Sequence, residues 1–136
     1  MNSSDIIYSA LVLDEKSSDK LKEFIESFVN FSYDNIYCHH VTIKFGKHDL
    51  IPENLGKEFK IIPGYLYADE KCSCISLVKV PFHVENIPHI TLACKEGVKP
   101  VYSNSLLKNS MPIKDVCFIG ELTGKIGTFT KKGWIF

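Results

Sequence analysis

One short pattern occurs twice in this chain: a histidine followed two positions later by a threonine. His40 and Thr42 form the first copy, and His89 and Thr91 form the second, 49 positions further along. With five histidines and five threonines in 136 residues, composition alone predicts only about 0.2 such pairs. The repetition therefore indicates a functional site, whereas a single copy would more simply serve a structural role.

Both copies lie in stretches with the alternation of apolar and polar residues that is typical of β-strands, at residues 40–45 and 88–94. Residues two apart on a strand point to the same face. Each strand is therefore expected to present an imidazole beside a hydroxyl on one face and to turn residues such as Val41 and Ile90 toward the core. By the same alternation, His39 is expected on the face opposite to that of its neighbour.

Two imidazoles and two hydroxyls around one concave site suit phosphodiester chemistry. One neutral histidine can take a proton from water while the other, protonated, gives one to the leaving oxygen, because histidine titrates near neutral pH. The threonine hydroxyls can hydrogen-bond the non-bridging phosphate oxygens and stabilise the charge of the transition state. Neither a metal nor another cofactor is needed. A zinc site built from Cys38, His39, His40 and His89 is the weaker interpretation, because it gives the two threonines no role.

These residues resemble the 2H phosphoesterases, a family named for two His-x-Thr/Ser-x-apolar motifs, and the match is to both motifs. The resemblance extends from the first strand and helix through residues 99–107. It implies a bilobal α+β fold with two antiparallel sheets, pseudo-twofold symmetry and a few flanking helices. Residues 1–136 are expected to form this fold as a single domain.

The resemblance also implies an activity in RNA processing. The expected reaction is metal-independent hydrolysis of a 2′,3′-cyclic phosphate or a 2′,5′-phosphodiester of RNA or a nucleotide. By motif matching, His40 and His89 would be the catalytic acid and base, in an order that the sequence leaves open, and Thr42 and Thr91 would bind the phosphate. The alternative is a catalytically silent module that binds a nucleotide or RNA end in the same groove.

Further substrate contacts are expected near the motifs. Lys44 falls on the same predicted strand face as Thr42, where it would supply positive charge to a phosphate, although a solvated lysine is an equal alternative. Tyr102 lies where a loop enters a short helix whose backbone amides could hold an anion. Ser103 or Asn104 would cap that helix. The aromatic candidates for stacking on a base are Tyr8, Tyr37 and Tyr102.

The overall charge restricts the kind of substrate. Sixteen basic residues balance sixteen acidic ones, which argues against binding to duplex DNA or RNA, since that affinity depends on neutralising many phosphates. All sixteen basic residues are lysines, so a phosphate would be held without bidentate guanidinium contacts. A nucleotide or an RNA end is the expected partner, and a monomer is the simplest expectation.

The cysteine count and the apolar runs bear on the compartment. Five cysteines, an odd number without a repeated C-x-x-C pair, favour the reducing cytoplasm, with the nucleus as the alternative. The apolar runs are far shorter than the ~18 residues that a spanning helix needs. No membrane partner is expected for this reason, and no signal peptide is recognised either.

Most of the predicted elements around the two motifs are strands. Residues 6–13 are an apolar run that predicts a central strand, and Ser17 or Ser18 is expected to cap a helix that lays an apolar stripe on the sheet. That stripe consists of Leu21, Phe24, Ile25, Phe28 and Val29. Further strands are predicted at residues 59–67 and 73–80, as an antiparallel pair, and at residues 116–122 and 126–136.

Overall fold

The computed structural model describes residues 6–29, 31–46, 54–82, 84 and 87–136. Within these residues it contains two α-helices, a 3₁₀ turn at Cys117–Ile119 and ten β-strands, which confirms the predicted α+β class. The helices are α1 (Glu15–Phe28) and α2 (Tyr102–Asn109). The strands are β1 (Ile6–Leu13), β2 (Asn35–Ile36), β3 (His40–Phe45), β4 (Glu58–Ile61), β5 (Pro63–Ala68), β6 (Cys72–Leu77), β7 (His89–Cys94), β8 (Lys114–Asp115), β9 (Leu122–Thr130) and β10 (Gly133–Ile135).

The described strands form one antiparallel sheet. Its order is β10-β9-β1-β3-β7-β6-β5-β8, with β2 beside β7 and β4 beside β9. A single residue pair, Val41 with Ile90, joins β3 to β7, so the sheet consists of two halves that meet at this junction. Two separate sheets are predicted from the sequence, whereas the structure has one, because the pair between β3 and β7 links its two halves.

The predicted strands are confirmed in part. β1 lies between β3 and β9, as expected for a central apolar strand, and β5 and β6 form the predicted antiparallel pair. The predicted strand at 59–67 is divided, because β4 pairs with β9 whereas β5 pairs with β6. The predicted strand at 116–122 is wrong. A 3₁₀ turn occupies that stretch and ends at Gly120, whose φ of 87° lies in the left-handed region.

Helix α1 begins one turn earlier than the serines predicted. The Asp14 carboxylate accepts a 2.8 Å hydrogen bond from the backbone N–H of Ser17 and caps the helix. The Ser17 hydroxyl instead accepts from the backbone N–H of Thr123 at 2.8 Å, which ties the helix to β9. Most of the apolar stripe is buried as predicted, but Phe28 is 48% exposed and stacks on Phe24 with ring centroids 5.3 Å apart.

The two helices cover different faces of the sheet. Leu21, Phe24 and Ile25 of α1 pack in one core cluster with the residues that join the two sheet halves, Val41 and Ile90. Leu106 and Leu107 of α2 pack instead against Cys72, Cys74 and Cys94. In the described part of the chain, neither helix is long and apolar enough to cross a membrane.

Candidate active site at the junction of β3 and β7

The two sequence motifs lie side by side on the sheet. Because Val41 pairs with Ile90 in an antiparallel register, the residue before each of them lies beside the residue after the other. The two residues of each motif flank this pair, and by the alternation of a strand they take the face opposite the core residues Val41 and Ile90.

An irregularity just before β3 sets the position of the first motif. Ile36 of β2 pairs with Ala93, and Val41 of β3 pairs with Ile90. Between these two pairs, the four residues 37–40 therefore lie opposite only two residues of β7, 91 and 92. Cys38 within this stretch has a φ of 50°, the left-handed region that a residue other than glycine seldom adopts. Such irregularities redirect side chains and are common beside active sites.

His39 adjoins the site, contrary to the face predicted for it. Its Nδ1 lies 2.9 Å from the Nδ1 of His40, and the two rings are nearly perpendicular at 83°. The prediction assumed a continuous strand, and the left-handed Cys38 interrupts the alternation on which it rested. A third imidazole, that of His39, therefore adjoins the first motif.

His40 is held in its uncharged form. Its side chain is partly buried, and its ring lies 5.1 Å from the ring of Tyr8. The pKa of His40 is lowered to about 4, chiefly by burial and to a smaller extent by the nearby His39 and His89, which oppose a positive charge on this ring. At neutral pH the side chain can accept a proton. Since Nδ1 is engaged with His39, Nε2 is the nitrogen that remains for a ligand.

His89 is anchored through a backbone contact. Its Nδ1 lies 2.8 Å from the carbonyl oxygen of Ile87, and because a carbonyl can only accept, Nδ1 carries the proton. Burial lowers the pKa of His89, while the hydrogen bond to Ile87 opposes this by stabilising the charged form. Its Nε2 is thus also the nitrogen left for a ligand.

The hydroxyl of Thr91 belongs to a buried network at the start of α2. It lies 2.8 Å from the hydroxyl of Ser103 and can donate to the carbonyl of Pro100 at 3.4 Å. Ser103 is fully buried, and its oxygen also lies 3.4 Å from the thiol of Cys72. The predicted capping role of Ser103 is wrong, because α2 begins at Tyr102 without a side-chain cap and Ser103 binds across to β7 instead.

Lys44 does not follow the simple alternation that predicts it on the same strand face as Thr42. The register between β1 and β3 shifts, so Thr42 lies opposite Ala10 whereas Lys44 lies opposite Ser9. Neighbours on β1 point to opposite faces. The extra residue in β3, Ile43, is a β-bulge that places Lys44 on the other face from Thr42.

Tyr102 lies near the second motif but has a partner of its own. Its hydroxyl donates a 2.7 Å hydrogen bond to the carboxylate of Asp69, and this bond is the main reason that its pKa is raised to about 12. The ammonium of Lys71 lies 5.8 Å from the centre of its ring. Tyr102, Lys71 and Lys99 line an open pocket of about 530 Å³ at the start of α2.

An aromatic cluster stands beside His40. Trp134 of β10 has its ring 5.5 Å from the ring of Tyr8, 5.8 Å from that of His39 and 5.8 Å from that of Phe136. The sequence predicted only that Trp134 packs the last strand. Its place in the site follows from the pairing of β10 with β9 and of β9 with β1, which no local pattern reveals.

Cys38 is poorly suited to be a ligand of the zinc site considered above. Its buried thiol donates to the carbonyl of Leu92 at 3.5 Å, and burial raises its pKa to about 12, which disfavours the thiolate that binds zinc. Among the residues that the structure describes, no group of three or more His, Cys, Asp or Glu side chains is arranged to hold a metal ion.

Comparison with known proteins gives no family for this chain. No family model matches the sequence, and no curated protein matches it either.

Proposed function

We propose that this chain is a metal-independent phosphodiesterase of the 2H type, which hydrolyses a 2′,3′-cyclic phosphate or a 2′,5′-phosphodiester of RNA or a nucleotide. The observation that carries the proposal is the register of Val41 with Ile90. In this register the two imidazoles and two hydroxyls of the motifs flank one pair of core residues and would share the opposite face. A phosphate bound there would meet a proton acceptor, a proton donor and two hydroxyl groups.

The arrangement of the sheet supports a bilobal fold of this family. One half consists of β10, β9, β1 and β3, and the other of β7, β6, β5 and β8. Each half carries its His-x-Thr motif on the strand at the junction. The two halves would then be related by the pseudo-twofold symmetry of the family, with the substrate bound where they meet.

We assign the general base to His40 and the general acid to His89. The low pKa of His40 keeps it uncharged and able to take a proton from water through Nε2. Burial lowers the pKa of His89, but the carbonyl of Ile87 stabilises its charged form, and a bound phosphate anion would act against the effect of burial. His89 would then hold a proton on Nε2 for the leaving oxygen.

The reaction on a cyclic phosphate balances with these groups. The water oxygen forms a new bond to phosphorus, and its proton passes to His40. The bond from phosphorus to one ribose oxygen breaks, and this oxygen receives the proton held by His89. The hydroxyls of Thr42 and Thr91 donate to the non-bridging oxygens, whose negative charge grows in the transition state. For Thr91 to do so, Ser103 must donate to the Thr91 oxygen, which the 2.8 Å contact permits.

The aromatic side chains beside His40 support a nucleotide as substrate. Tyr8 and Trp134 could offer ring faces or edges to a base, and such contacts contribute about 1–3 kcal/mol per base. The equal numbers of acidic and basic residues favour a small nucleotide or an RNA end over a duplex. We propose a monomer that acts in a reducing compartment, the cytoplasm or nucleus.

Two observations favour a second candidate, a silent module that binds a nucleotide or RNA end in the same groove. Burial lowers the pKa of both His40 and His89, so the empty site holds no charged imidazole to act as acid at neutral pH. The Thr91 hydroxyl also already has partners in Ser103 and Pro100. Such a module would bind without turnover.

The deciding experiment is hydrolysis of a panel of 2′,3′-cyclic nucleotides and a 2′,5′-linked dinucleotide in EDTA, with the product identified by phosphorus NMR. His40→Ala and His89→Ala should each lower kcat by roughly 10²–10⁴-fold. Thr42→Ser, which keeps the hydroxyl, should retain most activity, while Thr42→Val, which keeps the shape, should lose it. Turnover that is unchanged in both histidine variants would refute the mechanism. Binding without turnover in the wild type would establish the silent module.

A further inference from the structure

His39 makes a contact that a neighbouring residue on a regular strand could not make. Consecutive side chains of a strand point to opposite faces, yet the Nδ1 atoms of His39 and His40 lie 2.9 Å apart. The left-handed backbone of Cys38 and the extra residues before β3 make the contact possible. The backbone thus adopts an uncommon conformation where it brings these two rings together.

We propose that His39 is a positioning residue for His40: its Nδ1 accepts the proton on the Nδ1 of His40 and so holds that ring with Nε2 available to the substrate. This inference rests on the proposed function for its catalytic meaning, since it concerns the same site. A base that is oriented by a third group through its other nitrogen is a common arrangement in enzymes.

The proton positions follow from the role of each ring. A neutral imidazole carries one proton, and the nitrogen without it is the one that accepts. If His40 takes a proton from water at Nε2, its own proton must be on Nδ1 and must point to His39. His39 then accepts at Nδ1 and carries its proton on Nε2.

The second histidine is held in the same way by a different partner. His89 donates from Nδ1 to the carbonyl of Ile87 at 2.8 Å, and His40 would donate from Nδ1 to an imidazole at 2.9 Å. Both rings are thus fixed through Nδ1 and keep Nε2 for the phosphate. The uncharged acceptor on His40 gives orientation without the strong rise in basicity that a carboxylate would cause.

The surroundings keep His39 in the uncharged form that can accept a proton. Burial and the positive charge of Lys22 on α1 lower the pKa of His39. Among the residues that the structure describes, Tyr8 from β1 and His89 from β7 are titratable groups close to His40. Burial raises the pKa of Tyr8, so it stays neutral. The ring of His39 packs 5.8 Å from that of Trp134, which limits its rotation.

The test compares His39→Phe with His39→Asn. Phenylalanine keeps a ring against Trp134 but has no acceptor, whereas asparagine offers an amide oxygen that can accept. Long-range proton–nitrogen NMR spectra of ¹⁵N-histidine-labelled protein, without substrate, report which nitrogen of His40 carries the proton. The wild type and His39→Asn should show the proton on Nδ1, and His39→Phe should show a mixture of the two forms. In turnover, His39→Phe should lower kcat about tenfold with little change in KM, and His39→Asn should restore it.

The NMR readout separates this inference from the proposed catalysis. A wild-type His40 with its proton on Nε2, or an unchanged tautomer in His39→Phe, would overturn the positioning role even if the protein hydrolyses its substrate. A tautomer that changes as expected, in a protein without turnover on any substrate, would support the contact and refute only the phosphodiesterase. Matching thermal unfolding of the two variants checks that both are folded.

Discussion

Acidification should destabilise the folded chain through His40 in particular. The pKa of this partly buried imidazole is about 4, compared with an ordinary value of 6.5. Above pH 6.5 the side chain is neutral in the folded and the unfolded chain, so it gives no pH dependence. Between pH 6.5 and pH 4 only the unfolded chain binds the proton. The free energy of unfolding must therefore fall as the pH falls through this window.

The size of the effect follows from the same two values. A difference from 6.5 to about 4 corresponds to about 3 kcal/mol in full, and to about 2 kcal/mol by pH 5. A domain of ordinary stability unfolds with about 5–15 kcal/mol, so this loss is large enough to measure. Burial also lowers the pKa of His39 and His89, and both act in the same direction.

Urea unfolding of the wild type and of His40→Asn at about pH 7.5, 6 and 5 measures the effect. Asparagine does not titrate, so the variant should lose about 2 kcal/mol less than the wild type between pH 7.5 and pH 5. The carboxylates and the other histidines titrate in both proteins and largely cancel in the difference. If the two stability profiles run parallel over this range, His40 is not held in the neutral form and its assignment as the base fails.

Three further substitutions test the structure around the site. Ile90→Ala, at a fully buried position, should lower the free energy of unfolding by about 2–5 kcal/mol; a change below 1 kcal/mol in urea unfolding would contradict its place in the core. Ser103→Ala removes the hydroxyl 2.8 Å from Thr91 and should weaken the binding of a nucleoside monophosphate about fivefold by calorimetry, whereas unchanged affinity would show that this contact does not prepare the site. Gly124→Ala would place a Cβ 2.6 Å from the carbonyl oxygen of Val12 and should cost about 1–3 kcal/mol; an unchanged thermal midpoint would argue against this close approach of β9 to β1.

Local patterns predicted the elements that obey a regular period. Alternation over residues 40–45 and 88–94 predicted both motif strands, and the 3.6-residue stripe predicted the buried face of α1. The cap of α1 was misplaced because Asp14 and Ser17 are both good capping residues. Only the contact of Ser17 with Thr123, which is distant in the chain, explains the other use of that serine.

Predictions failed where the backbone departs from its period. His39 was expected away from His40, and the left-handed Cys38 brought the two rings together. Lys44 was expected beside Thr42, and the bulge in β3 changed its face. One extra residue reverses the faces of all residues beyond it. The residue types around it are ordinary for a strand, so the sequence does not show where the extra residue will lie.

The chemical groups of the candidate site and the strand face expected for each motif follow from the amino-acid order alone, because the period of a strand is a local property of the backbone. That the two motif strands are neighbours, with Val41 paired to Ile90, follows from the folded chain. The same holds for the contacts of Ser103 with Thr91 and of Trp134 with Tyr8. These contacts join residues that are distant in the chain, and they depend on strand order and register, which are set by burial of the whole core.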